Sequence, residues 1–302
     1  MEKDYPRISV VIPSFNQGSF IEETIISIIN QKYPNLELII IDGKSQDNTV
    51  NIINKFSKSV SYFVSESDNG QSHALNKGFK VATGDICCYL NSDDLFLNNI
   101  LWKVGNYYST KKFKWIYSDV LYGISVNKGK HFQKDIFSYE EFCAQQTIGQ
   151  QGVFWENNLL EKPWFDEDLQ YVMDHKFFIN LYREYGRPQY FNEIGSFFRI
   201  HKNSKTSRYE KILYSERKKI GLEAANLADT RYQKSKIKLE IKRLDLKIEV
   251  FDIFKKISKL KKFNERILLF CTSILIFLKA PFKFRDFYFL GYLKKIFLLL
   301  IK

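Results

Sequence analysis

Short apolar runs alternate with amphipathic segments along the first ninety or so residues. Residues 8–13 (ISVVIP) and 36–41 (LELIII) are rich in β-branched residues and end at turn-forming residues, as buried parallel strands do. Between them, residues 20–31 place apolar side chains at helical spacing, which predicts a β-α-β unit. Further strands are predicted over residues 60–65 and 86–90. This alternation predicts an α/β fold with a mainly parallel sheet flanked by helices.

Polar clusters follow the ends of these four predicted strands. Ligands of open parallel sheets bind beyond the carboxyl ends of the strands, so the clusters predict one binding edge. In chain order, they are residues 13–16 (PSFN), 42–45 (DGKS), 66–71 (ESDNGQ) and 91–94 (NSDD).

The last cluster, NSDD, has the composition of a site for a divalent cation. Hard divalent cations prefer carboxylate oxygens, and an acidic group at a strand end, such as Asp93, supplies them. An acidic turn without function is the alternative for this tetrapeptide taken alone. Its position directly after an apolar strand favours the binding site.

The last third of the chain differs from the rest in charge. Residues 1–201 carry 20 Lys+Arg and 24 Asp+Glu, whereas residues 202–302 carry 26 and 10. The acidic first part argues against nucleic-acid binding by the whole protein. The basic part requires an anionic partner, either phospholipid or nucleic acid, and we expect a membrane surface and no nucleic acid.

Long helices are predicted in this basic part, because no Gly or Pro occurs between Gly221 and Pro281. Residues 237–250 nevertheless alternate with the period of a strand, so a helix there would have to bury two faces. The apolar segments 267–278 and 287–302 have basic neighbours and are too short to span a bilayer. They are typical of amphipathic helices that lie in the headgroup region of a membrane.

The N-terminal residues and the cysteines indicate the cellular compartment. The first residues are charged and show no secretory-signal pattern. The four cysteines show neither metal-ligand spacing nor a disulfide framework, which favours a reducing compartment. We therefore expect a cytoplasmic protein that is peripheral at the cytoplasmic face of the membrane.

Four segments together resemble a family 2 glycosyltransferase with a GT-A fold. They are ISVVIPSFNQGSFIEETIISIINQ, IIIDGKSQDNT, SESDNGQSHALNKGFKVATGDICCYLNSDD and YVMDHKFF. The resemblance covers roughly residues 7–201 and leaves the basic part uncovered. It implies a nucleotide-sugar donor, a divalent cation (Mn²⁺ or Mg²⁺) and transfer with inversion at the anomeric carbon.

The resemblance also implies the site residues. Asp93 corresponds to the metal-contacting carboxylate of the family's DxD motif, with Asn91 standing where the family has the first Asp. Asp174, in the segment YVMDH, corresponds to the catalytic base, and Asp94 is expected to brace the loop. The residues expected to bind the donor are Pro13, Ser14, Phe15, Asn16, Asp42, Ser45, Asp68, Gly70, Gln71, Lys77, Asn91, Ser92 and Asp93.

Several residues stay open at this point. Lys77 is equally typical of a solvated helix lysine. His73 is expected to be structural and not catalytic, and the role of His175, next to Asp174, is open. The roles of Gln150, Gln151, Arg199 and His201 near the acceptor or the diphosphate are undecided.

The function expected from these patterns is sugar transfer to a hydroxyl of a glycan acceptor, lipid-linked because of the basic tail, in cell-surface polysaccharide synthesis. Residues 1–205 would form the catalytic domain and residues 206–302 a helical membrane-associating tail. A nucleotidyltransferase is one alternative, although the Gly- and Arg-rich phosphate loop of such enzymes is missing. A non-catalytic scaffold that binds membrane or nucleic acid is another. Neither a dinucleotide-binding GxGxxG motif nor a P-loop occurs.

Overall fold

The computed structural model describes most of the chain. The described residues are 5–97, 99–132, 138–202 and 210–259. The chain divides into two compact units, of which the first extends to Arg217 and the second comprises Cys143–Gln145 and the chain from Lys218 onward. The predicted interfacial segments over residues 267–278 and 287–302 lie outside the described residues.

Nine strands in the described part of the first unit form one sheet. They are β1 (Ile8–Ser14), β2 (Leu36–Asp42), β3 (Tyr62–Ser65), β4 (Ile86–Tyr89), β5 (Leu95–Phe96), β6 (Trp115–Gly123), β7 (Lys130–Phe132), β8 (Val153–Glu156) and β9 (Gln189–Arg199). Their order across the sheet is β3-β2-β1-β4-β8-β6-β9-β5, and β7 pairs with β6.

The first four strands are parallel, as the apolar runs predict. β1 pairs with β2 from Ile8 opposite Leu36 to Ser14 opposite Asp42, and it pairs with β4 on its other side. Every residue of β1 is buried, which explains why its sequence is apolar without alternation. The α/β fold predicted from the sequence is confirmed.

The second half of the sheet is mixed. β8 lies antiparallel between β4 and β6, while β6 and β9 are parallel and β5 is antiparallel to β9. An apolar run indicates that a strand is buried, but it does not indicate whether the strand is parallel or antiparallel to its neighbours. The order and direction of these strands therefore come from the tertiary structure alone.

Eight helices occur among the described residues. They are α1 (Ile21–Ile29), α2 (Thr49–Lys55), α3 (Gln71–Val81), α4 (Ile100–Lys111), α5 (Tyr139–Ala144), α6 (Met173–Tyr185), α7 (Glu210–Asn226) and α8 (Arg231–Lys259). α1 forms where predicted, with Ile21, Ile25 and Ile28 buried on one face. α3 lies very close to β1, because a Cβ at Gly78 would be 2.4 Å from Val11 Cγ1.

An aromatic cluster holds α6 against the sheet. The ring of Phe177 lies 5.0 Å from that of Trp155 and 5.1 Å from that of Phe165, and Phe79 of α3 lies 5.4 Å from Trp155. Such ring pairs each contribute about 0.5–1.5 kcal/mol beyond the area they bury. The cluster thereby fixes the first turn of α6.

In the second unit, the segment with a strand-like period is helical. Residues 237–250 lie within α8, which confirms the preference for a helix. Ile237, Ile241 and Leu244 are buried at helical spacing, whereas Leu239 is 37% exposed. The expectation that this helix buries two faces is therefore not met at Leu239. Among the described residues, none of the helices combines the length and apolar character that crossing a bilayer requires.

Candidate active site

A cleft of about 900 Å³ opens at the carboxyl ends of the parallel strands. Most of the predicted site residues line it, including Asp93 and Asp174. The predicted residues in its wall are Pro13, Ser14, Phe15, Asp68, Gly70, Gln71, Asn91, Ser92, Asp93 and Asp174. Asn16, Asp42, Ser45 and Lys77 do not line it.

Asp42 organises the loop that follows β2. It is fully buried, and its Oδ1 accepts a hydrogen bond from Ser45 Oγ at 2.5 Å. Its Oδ2 accepts hydrogen bonds from Ser45 N at 2.9 Å and from Ser65 Oγ at 2.6 Å. The whole carboxylate is thus engaged by the protein. Its observed contacts support the loop behind the cleft wall.

Asn16 and Ser45 belong to the same hydrogen-bond network as Asp42. Asn16 N donates to Ser45 Oγ at 2.8 Å, and Asn16 Oδ1 accepts from Gln46 N at 2.8 Å. Asn16 has a φ of 52°, a left-handed conformation that Asn tolerates better than most residues. These bonds tie the turn after β1 to the turn after β2, and Phe15, 58% exposed, lies at the cleft beside them.

Lys77 is held away from the cleft. Its Nζ lies 2.7 Å from Glu66 Oε1, and this ion pair lowers the pKa of the Glu66 carboxyl. The side chain is 24% exposed and does not line the cleft, so its expected approach to the diphosphate stays a prediction.

Asp68, Gly70 and Gln71 form the start of α3. Gly70 has a φ of 112°, which confirms the predicted need for a glycine before this helix. Asp68 Oδ1 accepts from Gly70 N at 2.9 Å, and Gln71 Nε2 donates to Asn91 Oδ1 at 2.7 Å. The third and fourth strand ends are therefore joined by a direct side-chain contact.

Asp94 braces the acidic loop, as expected. It is fully buried, and its Oδ1 accepts from Arg199 N at 3.0 Å. Its Oδ2 accepts from Gln151 Nε2 at 2.8 Å and from Asn91 Nδ2 at 3.2 Å. Burial and the neighbouring Asp93 raise the pKa of the Asp94 carboxyl, and the three donors oppose that rise.

Asp93 lines the cleft and also contacts two basic residues. Its Oδ2 lies 2.9 Å from His201 Nε2, and its backbone carbonyl accepts from Arg199 Nε at 2.9 Å. Arg199 Nη2 also lies 2.5 Å from Glu23 Oε2. The weak sequence signal of Arg199 and His201 thus corresponds to a direct contact with the acidic loop.

Asp174 lies in the first turn of α6 and faces the same cleft. Its Oδ2 accepts from Gln146 Nε2 at 3.0 Å, and its Oδ1 accepts from His175 N at 2.7 Å. Burial raises the pKa of the Asp174 carboxyl, while these hydrogen bonds and the charge of Arg217 oppose the rise. The raised pKa makes this carboxylate more basic than an ordinary aspartate.

Comparison with known proteins identifies the domain around this cleft. The model of the family described as Glycosyl transferase family 2 matches residues 9–151. This segment is a family 2 glycosyltransferase domain. It includes the strand ends and the acidic loop, whereas Asp174 lies beyond the matched residues.

Two curated relatives of this glycosyltransferase domain cover more of the chain. A GalNAc(5)-diNAcBac-PP-undecaprenol beta-1,3-glucosyltransferase of Campylobacter jejuni is 27% identical over 189 residues, which are 59% of this chain and 60% of that protein. The poly(ribitol-phosphate) beta-N-acetylglucosaminyltransferase TarP of Staphylococcus aureus is 34% identical over 160 residues, 51% of this chain and 48% of that protein. The chain thus spans about half to three fifths of the length of these relatives.

A solved structure supports the GT-A fold. The mannosyltransferase PcManGT of Pyrobaculum calidifontis, in complex with GDP-Man and Mn²⁺, superposes with a TM-score of 0.62. The superposition covers 99% of this chain and 88% of that chain at 17% sequence identity, so the likeness concerns the fold alone.

Sequence reasoning missed several residues of the cleft. Gln146 holds Asp174, and Gln170, Tyr171 and Arg217 line the cavity. No motif marks them, and Arg217 lies outside the part that resembles the family. Gln150 lines the cleft and donates from Nε2 to Tyr89 O at 2.8 Å.

His175 is structural. It is fully buried, and its Nε2 lies 2.6 Å from Phe142 O, so this nitrogen carries the proton and donates. Burial lowers the pKa of His175 to about 3, which keeps the ring neutral. A neutral ring that faces a backbone carbonyl has no place in the proton transfer.

Proposed function

We propose that this protein transfers a sugar from a nucleotide-diphosphate sugar to a hydroxyl of a glycan acceptor, with inversion at the anomeric carbon. The observation that carries the proposal is the single cleft shared by Asp93 and Asp174. Asp93 belongs to the loop that follows β4, next to the donor-loop residues, and Asp174 belongs to α6. The cleft thus holds one acidic group suited to a cation and diphosphate and a second one suited to a proton.

Asp174 would remove the proton of the attacking acceptor hydroxyl. Each of its oxygens accepts one hydrogen bond from the protein, which leaves lone pairs for the substrate. The raised pKa of the Asp174 carboxyl makes it a better base than an exposed aspartate, and Gln146 fixes its orientation. A direct displacement needs one such base, and it inverts the anomeric carbon because attack and departure occur on opposite faces.

A divalent cation, Mn²⁺ or Mg²⁺, fits the groups around Asp93. Among the described residues, no three His, Cys, Asp or Glu side chains cluster as a complete metal site. Asp93 with the His201 imidazole beside it offers a partial set, to which Mg²⁺ and Mn²⁺ commonly add substrate phosphates and water. Such an ion would offset the negative charge of the departing diphosphate.

The proposal extends to the chemical class of the acceptor and to association with a membrane. The two curated relatives are named for a polyprenol-diphosphate-linked glycan and a poly(ribitol phosphate), which supports a role in cell-surface polysaccharide synthesis. We propose a lipid-linked acceptor at the cytoplasmic face of the membrane, because residues 202–302 carry 26 Lys+Arg against 10 Asp+Glu. Residues 1–205 would be the catalytic domain and residues 206–302 the membrane-associating tail, although α7 contributes Arg217 to the cleft.

Donor binding and donor hydrolysis test the proposal. The full-length protein would be screened with Mn²⁺ or Mg²⁺ against UDP-, GDP- and dTDP-sugars, with nucleoside triphosphates for comparison. We expect one nucleotide sugar to bind and no triphosphate to be turned over. Asp93→Asn should weaken metal-dependent binding about tenfold or more, since it removes a charge-assisted contact. Asp174→Asn should keep donor binding and lower turnover at least a hundredfold.

Asp168→Asn is the matched control. Asp168 is an exposed carboxylate of the same region that does not line the cleft, so both readouts should stay at the wild-type level. Failure of every nucleotide sugar to bind, with either cation, would contradict the proposal. Turnover of triphosphates would favour the nucleotidyltransferase alternative.

A further inference from the structure

Arg217 is a charged side chain of the cleft that the proposed chemistry does not use. It lies on α7 and lines the cavity. Its Nε is buried and makes no hydrogen bond, and its guanidinium forms no hydrogen bond or short ion pair with any residue in the described ranges. Burial lowers the pKa of this group, so the protein holds the charge in a place that disfavours it.

The nearby charge of Asp174 offsets part of the charge of Arg217, but no described residue forms a hydrogen bond with its buried Nε. Removing a charged group from water costs several kcal/mol unless a partner replaces the lost solvation. Two other arginines of the first unit show the contrast: Arg7 lies 3.0 Å from Glu37, and Arg199 lies 2.5 Å from Glu23. Arg217 therefore has the environment of a residue whose partner is a ligand.

The neighbouring Glu216 fixes the place of Arg217. The Glu216 carboxylate accepts hydrogen bonds from Gln170 N at 2.9 Å and from Tyr171 N at 2.8 Å. These two residues immediately precede α6 and line the cleft, and Asp174 follows them. α7 is thus attached to the segment that carries the candidate base, so Arg217 lies on the side of the cleft that would receive the acceptor.

The charge of the cleft strengthens the argument. The other charged side chains in its described wall are the carboxylates Asp68, Asp93 and Asp174. An anion that enters near Asp174 is repelled by that carboxylate unless a cation lies beside it. Arg217 is close enough to Asp174 for their charges to interact, and its planar fork suits a phosphate or a carboxylate.

We propose that Arg217 binds an anionic group of the acceptor, a phosphate or a carboxylate, close to the hydroxyl that Asp174 deprotonates. The inference rests on the proposed function, which supplies the acceptor and the base. The donor diphosphate is the competing occupant. It is less suited, because the donor-loop residues and Asp93 belong to the ends of β1–β4, whereas Arg217 is attached to the start of α6.

Methyl phosphate and acetate are suitable probes of this site. Their binding to the full-length protein would be measured by calorimetry at constant ionic strength, with and without a saturating nucleoside diphosphate. We expect methyl phosphate to bind equally well in both conditions. Arg217→Gln should weaken its binding about tenfold or more, and Arg217→Lys should weaken it less, because the charge stays while the fork is lost. The matched control Lys219→Gln removes an exposed charge two residues further along α7 and should change nothing.

Two results would overturn the inference. Displacement of methyl phosphate from the wild-type protein by the nucleoside diphosphate would assign Arg217 to the donor. Equal binding by Arg217→Gln and the wild-type protein would remove the site. If no nucleotide sugar binds to the wild-type protein, the proposed sugar transfer is contradicted. Methyl phosphate binding is measured without a sugar donor, so it tests the Arg217 site separately.

Thermal unfolding is a second test. If Arg217 supports the fold, replacing it should lower the Tm, whereas a ligand-binding role predicts no such fall. Because Arg217 makes no hydrogen bond or short ion pair with the described residues, Arg217→Gln and Arg217→Met should keep or raise the Tm. A fall of several degrees in both variants would show that the guanidinium supports the fold and would overturn the inference.

Discussion

Glu216 is the residue whose replacement should separate positioning of the candidate base from donor binding. It is 9% exposed, and its two carboxylate oxygens accept from the backbone N–H groups of Gln170 and Tyr171 at 2.9 and 2.8 Å. In Glu216→Gln, an amide nitrogen replaces one oxygen and faces one of these N–H groups. One hydrogen bond is lost and two donors are brought together, so the segment before α6 should shift.

The expected cost follows from these two bonds. A hydrogen bond to a charged group contributes about 1.5–3 kcal/mol, and a buried donor without a partner costs about 1–3 kcal/mol. Gln170 is exposed, so water can reach its N–H, and the free energy of unfolding should fall by about 2 kcal/mol. In a unit of about 200 residues, this lowers the Tm by about 4–8 °C.

Turnover and donor affinity show whether the substitution affects catalysis or donor binding. Because the hydrogen bonds of Glu216 go to Gln170 and Tyr171, just before α6, donor affinity should stay within about twofold, while kcat falls about tenfold as Asp174 loses its position. Glu249→Gln, an exposed carboxylate on α8, is the matched control and should match the wild-type protein in all three measurements. A loss of donor affinity as large as the loss of kcat, or an unchanged Tm, would refute the reasoning.

Two further predictions concern pH. The charge of Arg217 lowers the pKa of Asp174, so Arg217→Gln should move the acid limb of donor hydrolysis to higher pH, because the base is then protonated over a wider range; a limb that stays in place in a pH–rate profile would contradict this. Burial lowers the pKa of His175 to about 3, below its unfolded value, so the unfolded chain binds more protons and stability falls as pH falls below about 6.5. His175→Gln should reduce by about 2 kcal/mol the stability lost between pH 7 and pH 5 in urea unfolding, and an identical pH dependence in both proteins would argue against it.

Local sequence patterns determined much of the fold and part of the site. The strands β1, β2 and β4 are apolar because both their faces are buried, and α1 shows its buried stripe in the spacing of its isoleucines. Gly70 could be predicted as well, because a left-handed turn before a helix has few alternatives. The acidic loop with Asp93 follows from the rule that ligands bind at strand ends, and it lines the cleft. Each of these inferences depends on neighbours within one element.

The division of labour within the site was decided by the tertiary structure. Asp42 and Lys77 have the residue types of a donor site, but contacts with Ser65 and Glu66 hold them out of the cleft. Arg199, at the end of β9, and His201, two residues further along, reach Asp93.

The sequence by itself determined that an α/β sheet would gather acidic residues at one edge. It could not determine that β8 enters antiparallel between β4 and β6, or that α7 places Glu216 and Arg217 near Asp174. The physical reason is that hydrophobic periodicity records whether a side chain is buried within its own element. Strand direction and contacts between residues far apart in the chain depend on how whole elements pack, and a single residue carries no mark of them.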